Sequence, residues 1–191
     1  DVEVRNSEFG MRNGRTRSGT PPSALPTPHL KRGIGFASTL NVGGGARIYR
    51  SDGCGATVKV DDFGHVALIT GSTEIGQGSE TVLAQIVAEI LGVSIDEVNV
   101  INSDTDIKPW DVGVHASRTT FIAGNAAQLA ALDVQRQVFE TAAQLLGAPA
   151  EQLAMKGGSV VTLSGDKSIE LSKVARARHF REGGQIIIGE G

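Results

Sequence analysis

The sequence predicts an α+β fold: a split β-α-β unit with a mixed sheet, one long central helix, and a small appended α/β subdomain. Three observations carry this. Residues 56–61 and 65–70 are β-rich runs separated by Asp62-Phe63-Gly64, the composition of a hairpin turn. Residues 80–91 carry two adjacent apolar ladders at four-residue spacing, Val82/Ile86/Ile90 and Leu83/Val87/Leu91, and a strand-like run, 98–102, follows them. Residues 118–146 then form one unbroken helical stretch that stops at Gly147-Ala148-Pro149.

The bulk numbers narrow the class. At 191 residues the chain suffices for one good-sized core, or for a core with a smaller subdomain. A net charge of −3 argues against a nucleic-acid partner, because phosphate backbones require a basic face. The single cysteine, Cys54, excludes a disulfide framework and an iron–sulfur cluster held by this chain alone, since a cluster takes about four ligands. No apolar run approaches the roughly 20 residues of a membrane span, and no signal peptide is recognisable, so the expectation is a soluble cytoplasmic protein. The sequence opens on Asp1, has its first Met at position 11, and stops at Gly191 just after Gln185-Ile186-Ile187-Ile188. An apolar strand at a chain end invites aggregation, so a piece of a longer protein is expected.

Taken in order, residues 1–32 read as a linker: Arg5, Arg12, Arg15, Arg17, Lys31 and Arg32 outnumber the acids, and Pro21, Pro22, Pro26 and Pro28 forbid regular structure. Residues 33–41 read as a strand, and Gly43-Gly44-Gly45 as a flexible turn, since neither a P-loop Lys-Ser/Thr nor G-x-G-x-x-G is present. Cys54, between Gly53 and Gly55, has no basic neighbour and reads as a turn residue, not a nucleophile. The loop Thr73-Glu74-Ile75-Gly76-Gln77-Gly78-Ser79 leads into the first helix, with Ser79 as cap and Gly92 as stop. A second loop, Asp111-Val112-Gly113-Val114-His115-Ala116-Ser117, leads into the long helix, with Ser117 as cap. That helix begins rich in small residues (Ala123, Gly124, Ala126, Ala127, Ala130, Ala131), which permit close approach of another backbone; Val134, Val138 and Leu145 lie along one side, Leu132, Phe139 and Leu146 along another. Beyond Pro149 the pattern gives a short helix near 150–154, a hairpin around 157–169, a helix over 172–180 capped by Ser172, and a last strand at 186–188.

Most familiar chemistries are absent. The four histidines are scattered without H-x-x-x-H or a Cys partner, so a zinc site is not indicated. Asp104, Asp106 and Asp111 lack the mid-loop Gly and terminal Glu of an EF-hand and read as solvated or helix-capping carboxylates. No Ser/His/Asp order is persuasive. The two helix entrances remain. A helix start presents unpaired N–H groups and the positive end of the dipole, a ready site for an anion. Gly76 and Gly78 let a backbone come close to a ligand, Gln77 adds an amide suited to a heterocycle edge, and Ser117, Arg118, Thr119 and Thr120 add three hydroxyls and a guanidinium suited to phosphate. Each loop alone is compatible with ordinary capping; together they favour an anionic, heterocyclic ligand.

These residues also resemble a known family. Gly76-Gln77-Gly78, then Thr81, Gln85, Ala88, Glu89, Leu91 and Gly92, then Asp104-Thr105-Asp106, Pro109, Gly113, Ala116-Ser117-Arg118-Thr119 and Gly124-Asn125-Ala126-Ala127 resemble the large subunit of the molybdenum hydroxylases. That group includes xanthine dehydrogenase, aldehyde oxidase and carbon monoxide dehydrogenase; the S-R-x-T-x-x-A-G-N-A form looks most like the 4-hydroxybenzoyl-CoA reductase branch. The likeness covers residues 33–146 well and 147–191 more loosely, giving a molybdopterin-binding core at 33–148 between a linker-like 1–32 and an appended 149–191. It implies a molybdenum-dependent oxidoreductase whose pterin, in some members extended as molybdopterin cytosine dinucleotide, touches Gly76, Gln77 and Gly78 and is lined, with its phosphate, by Ala116, Ser117, Arg118 and Thr119. It further implies a small-molecule substrate, iron–sulfur and FAD subunits or domains as electron partners, and a homo-oligomer of the complex. The family's general base, a Glu in a Gly-Glu-Pro-like motif, is not recognisable here; Glu190 is given no catalytic role, and the isolated chain is expected to be inactive. The competing expectation is a non-catalytic interaction domain of the same fold with an empty pocket.

Overall fold

Hydrogen bonding along the antiparallel pair Ala56–Val60 (β1) and Val66–Thr70 (β2) sets the frame, with Val58 opposite Leu68 and Val60 opposite Val66. The computed structural model describes residues 33–40, 43–44 and 52–191. The expected linker 1–32, and Asn41 and Gly45, lie outside them. The chain divides into two units, Asp1–Thr39 and Leu40–Gly191. Of the first, residues 33–39 are exposed and carry no regular structure. The strand expected over 33–41 is therefore not formed at 33–40: a strand needs a partner ladder, and local β-propensity does not supply one.

In the second unit the hairpin forms as expected. Asp61 receives the N–H groups of Phe63 (2.8 Å) and His65 (2.9 Å) on one carboxylate oxygen, closing the turn that Gly64 completes at φ 87°. After β2 the chain enters α1 (Ser79–Leu91) and returns as β3 (Val98–Ile101), parallel to β2. The two parallel strands are direct neighbours, so no strand splits this β-α-β unit. The sheet is mixed, in the order β3-β2-β1-β7, and α2 (Thr119–Leu146) packs against it beside α1. Both helix stops are as read: Gly92 and Gly147 take left-handed φ of 58° and 60°.

The core side of α2 differs from the expected Val/Leu ladders. Val134 and Val138 are buried, but Leu132 and Leu145 are exposed, and most of the rest of the buried face is alanine (Ala123, Ala126, Ala127, Ala130, Ala131 and Ala142), with Thr119, Gly124, Gln137 and Thr141. The reason is the last strand, β7 (Ile187–Glu190), which pairs antiparallel with β1 and lies against this face. A Cβ on Gly189 would stand 2.2 Å from the Ala130 carbonyl, and one on Gly191 2.1 Å from that of Ala126. The small residues thus do permit the close backbone approach that the sequence suggested. Gln137 seals the outer edge of β7, its amide donating to Ile188 O (2.5 Å) and accepting from Ile188 N (3.4 Å).

Between α2 and β7 lies a three-stranded antiparallel sheet, β4 (Leu153–Lys156), β5 (Ser159–Thr162) and β6 (Ser168–Glu170), followed by α3 (Leu171–His179). The expected hairpin is thus a three-stranded meander, and the short helix near 150–154 shrinks to one 3-10 turn, Ala150–Gln152. Ser172 sits inside α3, whose cap position is Glu170. No helix among the described residues is long and apolar enough to cross a membrane.

Candidate functional site

The loop between β2 and α1 is wound around one carboxylate. Glu74 Oε1 accepts the N–H groups of Gly76 (2.6 Å) and Gly78 (3.0 Å), and Oε2 accepts the Ser79 hydroxyl (3.1 Å) and the Glu80 N–H (3.2 Å). Those bonds, led by Gly78 and Glu80, hold its carboxyl down to about 2. Ser79 is consequently the first residue of α1 and not its cap; Gly78 holds the cap position at a left-handed φ of 81°, and Gly76 is left-handed as well (97°). Both glycines are needed for the turn, and the space where their side chains would be is open. The anion at this helix start is the chain's own. Gln77 is tied into the same loop: Oε1 accepts from Ile75 N (2.6 Å), and Nε2 donates to Thr73 O (3.1 Å) and Ser79 Oγ (2.9 Å). Both amide hydrogens are thereby used, and what remains to a ligand is one lone pair of Oε1 and the amide face.

The entrance to α2 is built in the opposite way. Ala116 and Ser117 are the only non-glycine residues with positive φ among those described, at 51° and 55°. Left-handed backbone at non-glycine residues costs on the order of 1 kcal/mol each and persists where the surroundings impose it. Here the imposing group is Arg118, which takes the cap position and buries its guanidinium completely. Nε bonds Asp52; Nη1 bonds Asp111 Oδ1 (2.6 Å) and Gly113 O (2.8 Å); Nη2 bonds Gly53 O (2.7 Å). Burial alone would lower its pKa, but Asp111 and Asp52 outweigh that and hold it above the ordinary value. Arg118 is therefore a strut and not a hand for phosphate: its fork is spent on two carboxylates and two carbonyls. Asp111 is correspondingly a buried ion-pair partner, not the solvated or capping carboxylate expected. The cap position of α2 is held by Arg118, not Ser117, and the Arg118 side chain makes no cap bond, so this helix start is not closed by its cap residue.

The two entrances meet. Ile75, Gln77, Val114, His115, Ala116, Ser117, Thr119 and Thr120 line one hollow of about 460 Å³. A second, of about 430 Å³, shares Ser117 and Thr120 and continues past Ile86, Phe121, Gly124, Asn125 and Gln128 along the groove between the helices. Of the residues singled out from sequence, Gln77, Ala116, Ser117 and Thr119 line this space together; Gly76 and Gly78 flank Gln77 in the chain without lining it, and Arg118 does not line it either. Sequence reasoning missed Glu74 and Asp52. The first had a signal, an acid two residues before a Gly-x-Gly turn; the second lies 66 residues from its partner and had none.

The remaining candidates stay outside this hollow. Burial, and then Asp111, push the Cys54 thiol up from its ordinary value, and the residue forms a β-bridge with Asp111. Asp104 accepts the Asp106 N–H (2.9 Å) in a local turn. No group of three or more His, Cys, Asp or Glu able to hold a metal ion occurs among the described residues.

A mixed sheet that brings two helix entrances to one hollow makes this an α/β domain with a ligand-sized cavity. The chain belongs to the molybdopterin cofactor-binding domain family, which it matches over residues 9–189. It is 40% identical over 121 residues to the gamma subunit of the 6-hydroxypseudooxynicotine dehydrogenase complex of Paenarthrobacter nicotinovorans, covering 63% of this chain and 15% of that one. It is 37% identical over 138 residues to a putative xanthine dehydrogenase molybdenum-binding subunit of Escherichia coli, covering 70% and 18%. Among solved structures, quinoline 2-oxidoreductase from Pseudomonas putida 86 matches with a TM-score of 0.67 at 30% identity, over 72% of this chain and 18% of that one. A Cu,Mo carbon monoxide dehydrogenase in its carbon monoxide-reduced state matches with a TM-score of 0.67 at 25% identity, over 74% and 18%. The chain thus spans less than a fifth of the length of these relatives. The family resemblance carried by residues 76–127 is borne out.

Proposed function

We propose that this chain holds the pterin of a molybdenum-dependent oxidoreductase large subunit in the hollow between the starts of α1 and α2. One observation carries the reading: Gln77 from one loop and Ala116, Ser117 and Thr119 from the other line the same space. The chemistry of that lining fits the group. The start of α1 is already neutralised by Glu74, so a phosphate goes to the start of α2, where Ser117, Thr119 and Thr120 line the hollow. The pterin ring then lies towards Gln77, against the open space beside Gly76 and Gly78. Arg118 acts from behind, holding the left-handed Ala116-Ser117 turn in shape.

When bound, the molybdenum pterin supplies the redox centre for hydroxylation or dehydrogenation at a carbon next to a heteroatom or carbonyl; this chain's residues bind and orient it. The continuation of the hollow along Gly124, Asn125 and Gln128 supports an extended cofactor such as molybdopterin cytosine dinucleotide. Iron–sulfur and FAD partners, a small-molecule substrate, a homo-oligomeric complex and a cytoplasmic setting complete the proposal, and the Ser117–Ala127 pattern supports a 4-hydroxybenzoyl-CoA reductase-like branch. In the full-length subunit purified with its partners, Gln77→Ala and Thr119→Val are expected to lower molybdenum per chain severalfold, measured by plasma mass spectrometry. Parent-level molybdenum in both variants refutes the reading and favours an interaction domain whose hollow is not a cofactor site.

A further inference from the structure

Glu74 does more than end a helix. Its four bonds reach both sides of Gln77, to Gly76 before it and to Gly78, Ser79 and Glu80 after it. The Ser79 hydroxyl has one proton, and it goes to Glu74 Oε2; its lone pair then accepts Gln77 Nε2–H at 2.9 Å. Ser79 is buried, so water does not compete for this relay. A hydroxyl whose proton is committed to a carboxylate can face Gln77 only as an acceptor. The Gln77 amide must therefore turn its nitrogen to Ser79, with the Thr73 carbonyl taking the second hydrogen and the Ile75 N–H fixing the oxygen. Three independent contacts agree on one amide orientation, and the relay from Glu74 supplies one of them.

We infer that Glu74 is a positioning residue for the cofactor: it folds the Gly76-Gln77-Gly78 loop and, through Ser79, sets which face of the Gln77 amide the hollow presents. This rests on the reading of the hollow as the pterin site. The carboxylate is needed as a double acceptor. An amide in its place turns an NH2 group towards N–H donors, and an alanine leaves the Gly78 and Glu80 N–H groups without a partner.

The test uses the full-length subunit with its partners and two readouts. Hydrogen exchange over residues 75–80 in cofactor-depleted protein reports the loop; molybdenum per chain reports the site. Glu74→Gln is expected to raise exchange at Gly76, Gly78 and Glu80 about tenfold and to lower molybdenum severalfold. Ser79→Ala cuts only the relay: exchange at Gly76 and Gly78 stays at the parent level while molybdenum falls, and Ser79→Thr restores it. Unchanged exchange in Glu74→Gln overturns the inference. So does parent-level molybdenum in Ser79→Ala while Gln77→Ala loses it, which leaves Glu74 a helix cap and the pterin reading intact. If Gln77→Ala also keeps its molybdenum, the pterin reading has failed and this inference with it, while the exchange data still report the Glu74 loop.

Discussion

Removing the Arg118 side chain is the sharpest perturbation the structure offers. Its guanidinium is about 1% exposed, and its two carboxylate partners are 8% (Asp52) and 4% (Asp111) exposed, so this is an interior triad. Replacing a buried ion pair whole by apolar groups is often neutral, whereas deleting one member costs about 3–5 kcal/mol because it strands the other charge. Arg118→Met takes the cation from two buried carboxylates and removes the donors to Gly53 O and Gly113 O, so a loss within that range, about 3–5 kcal/mol, is expected. Arg118→Lys keeps the charge but cannot span four acceptors arranged for a planar fork, and falls between parent and Met. Urea unfolding of the 191-residue chain, followed by far-UV circular dichroism, measures the loss. Adding Asp52→Asn and Asp111→Asn to Arg118→Met is expected to recover much of it, since the two carboxylate charges that balanced Arg118 are then removed with it. A Met variant within about 1 kcal/mol of parent, or a triple variant no better than the single, refutes the triad as the strut of this entrance.

Three further outcomes follow from particular contacts. Gly189→Ala sets a Cβ against the Ala130 carbonyl and must push β7 off α2, so a loss at or above the usual overpacking cost of about 1–3 kcal/mol is expected in the same urea assay; an unchanged midpoint contradicts the packing. Glu74 is depressed to about 2 from an unfolded value of about 4.3, so its contribution to stability is complete above about pH 5 and is lost as pH falls towards 2. Glu74→Gln should flatten the pH dependence of the urea midpoint in that window, and an identical slope in both proteins contradicts the carboxylate's role. The Cys54 thiol, raised by burial and then by Asp111, should react with iodoacetamide more slowly at pH 8 than a free thiol and recover the free rate in denaturant; fast labelling of the folded chain contradicts its placement.

Local chemistry made the larger elements legible and long-range contact hid the rest. The hairpin announced itself because Asp61 and Gly64 satisfy their own turn, and both long helices ended where Gly92 and Gly147 allowed. That the two loops share a hollow was also readable, since each is a small-residue entrance to a helix within one β-α-β-loop-α run. The caps were misread because Ser79 and Ser117 have the right chemistry for a cap, while a more distant group competes for the position: Glu74 for the first helix start, and Arg118 with its partners for the second. The alanine face of α2 looked merely permissive. It became a binding surface only once β7, some 60 residues further along, supplied glycines to lie on it. The strand expected at 33–41 illustrates the opposite error: propensity without a partner.

The two helix starts show how one chain separates structural from functional electrostatics. Had both been left open, each would attract an anion, and a ligand with one phosphate would have two competing seats in one hollow. Glu74 removes the first by internal neutralisation, at the same point where it fixes the amide that lines the hollow. Arg118 does the reverse at the second start. It is the residue whose charge would most strongly hold a phosphate from solution, yet Asp52 and Asp111 more than balance it in the interior, so on the proposed reading the phosphate is left to backbone N–H groups and hydroxyls. Such donors hold an anion by geometry more than by net charge, which suits a cofactor that must be retained in one orientation. Reversing one assignment should expose the logic: Glu74→Ala opens the first seat and adds one unit of positive charge to the hollow. In the cofactor-depleted subunit, inorganic phosphate should then bind more tightly while molybdenum retention falls. Phosphate affinity that stays at the parent value would show that Glu74 was not guarding that seat.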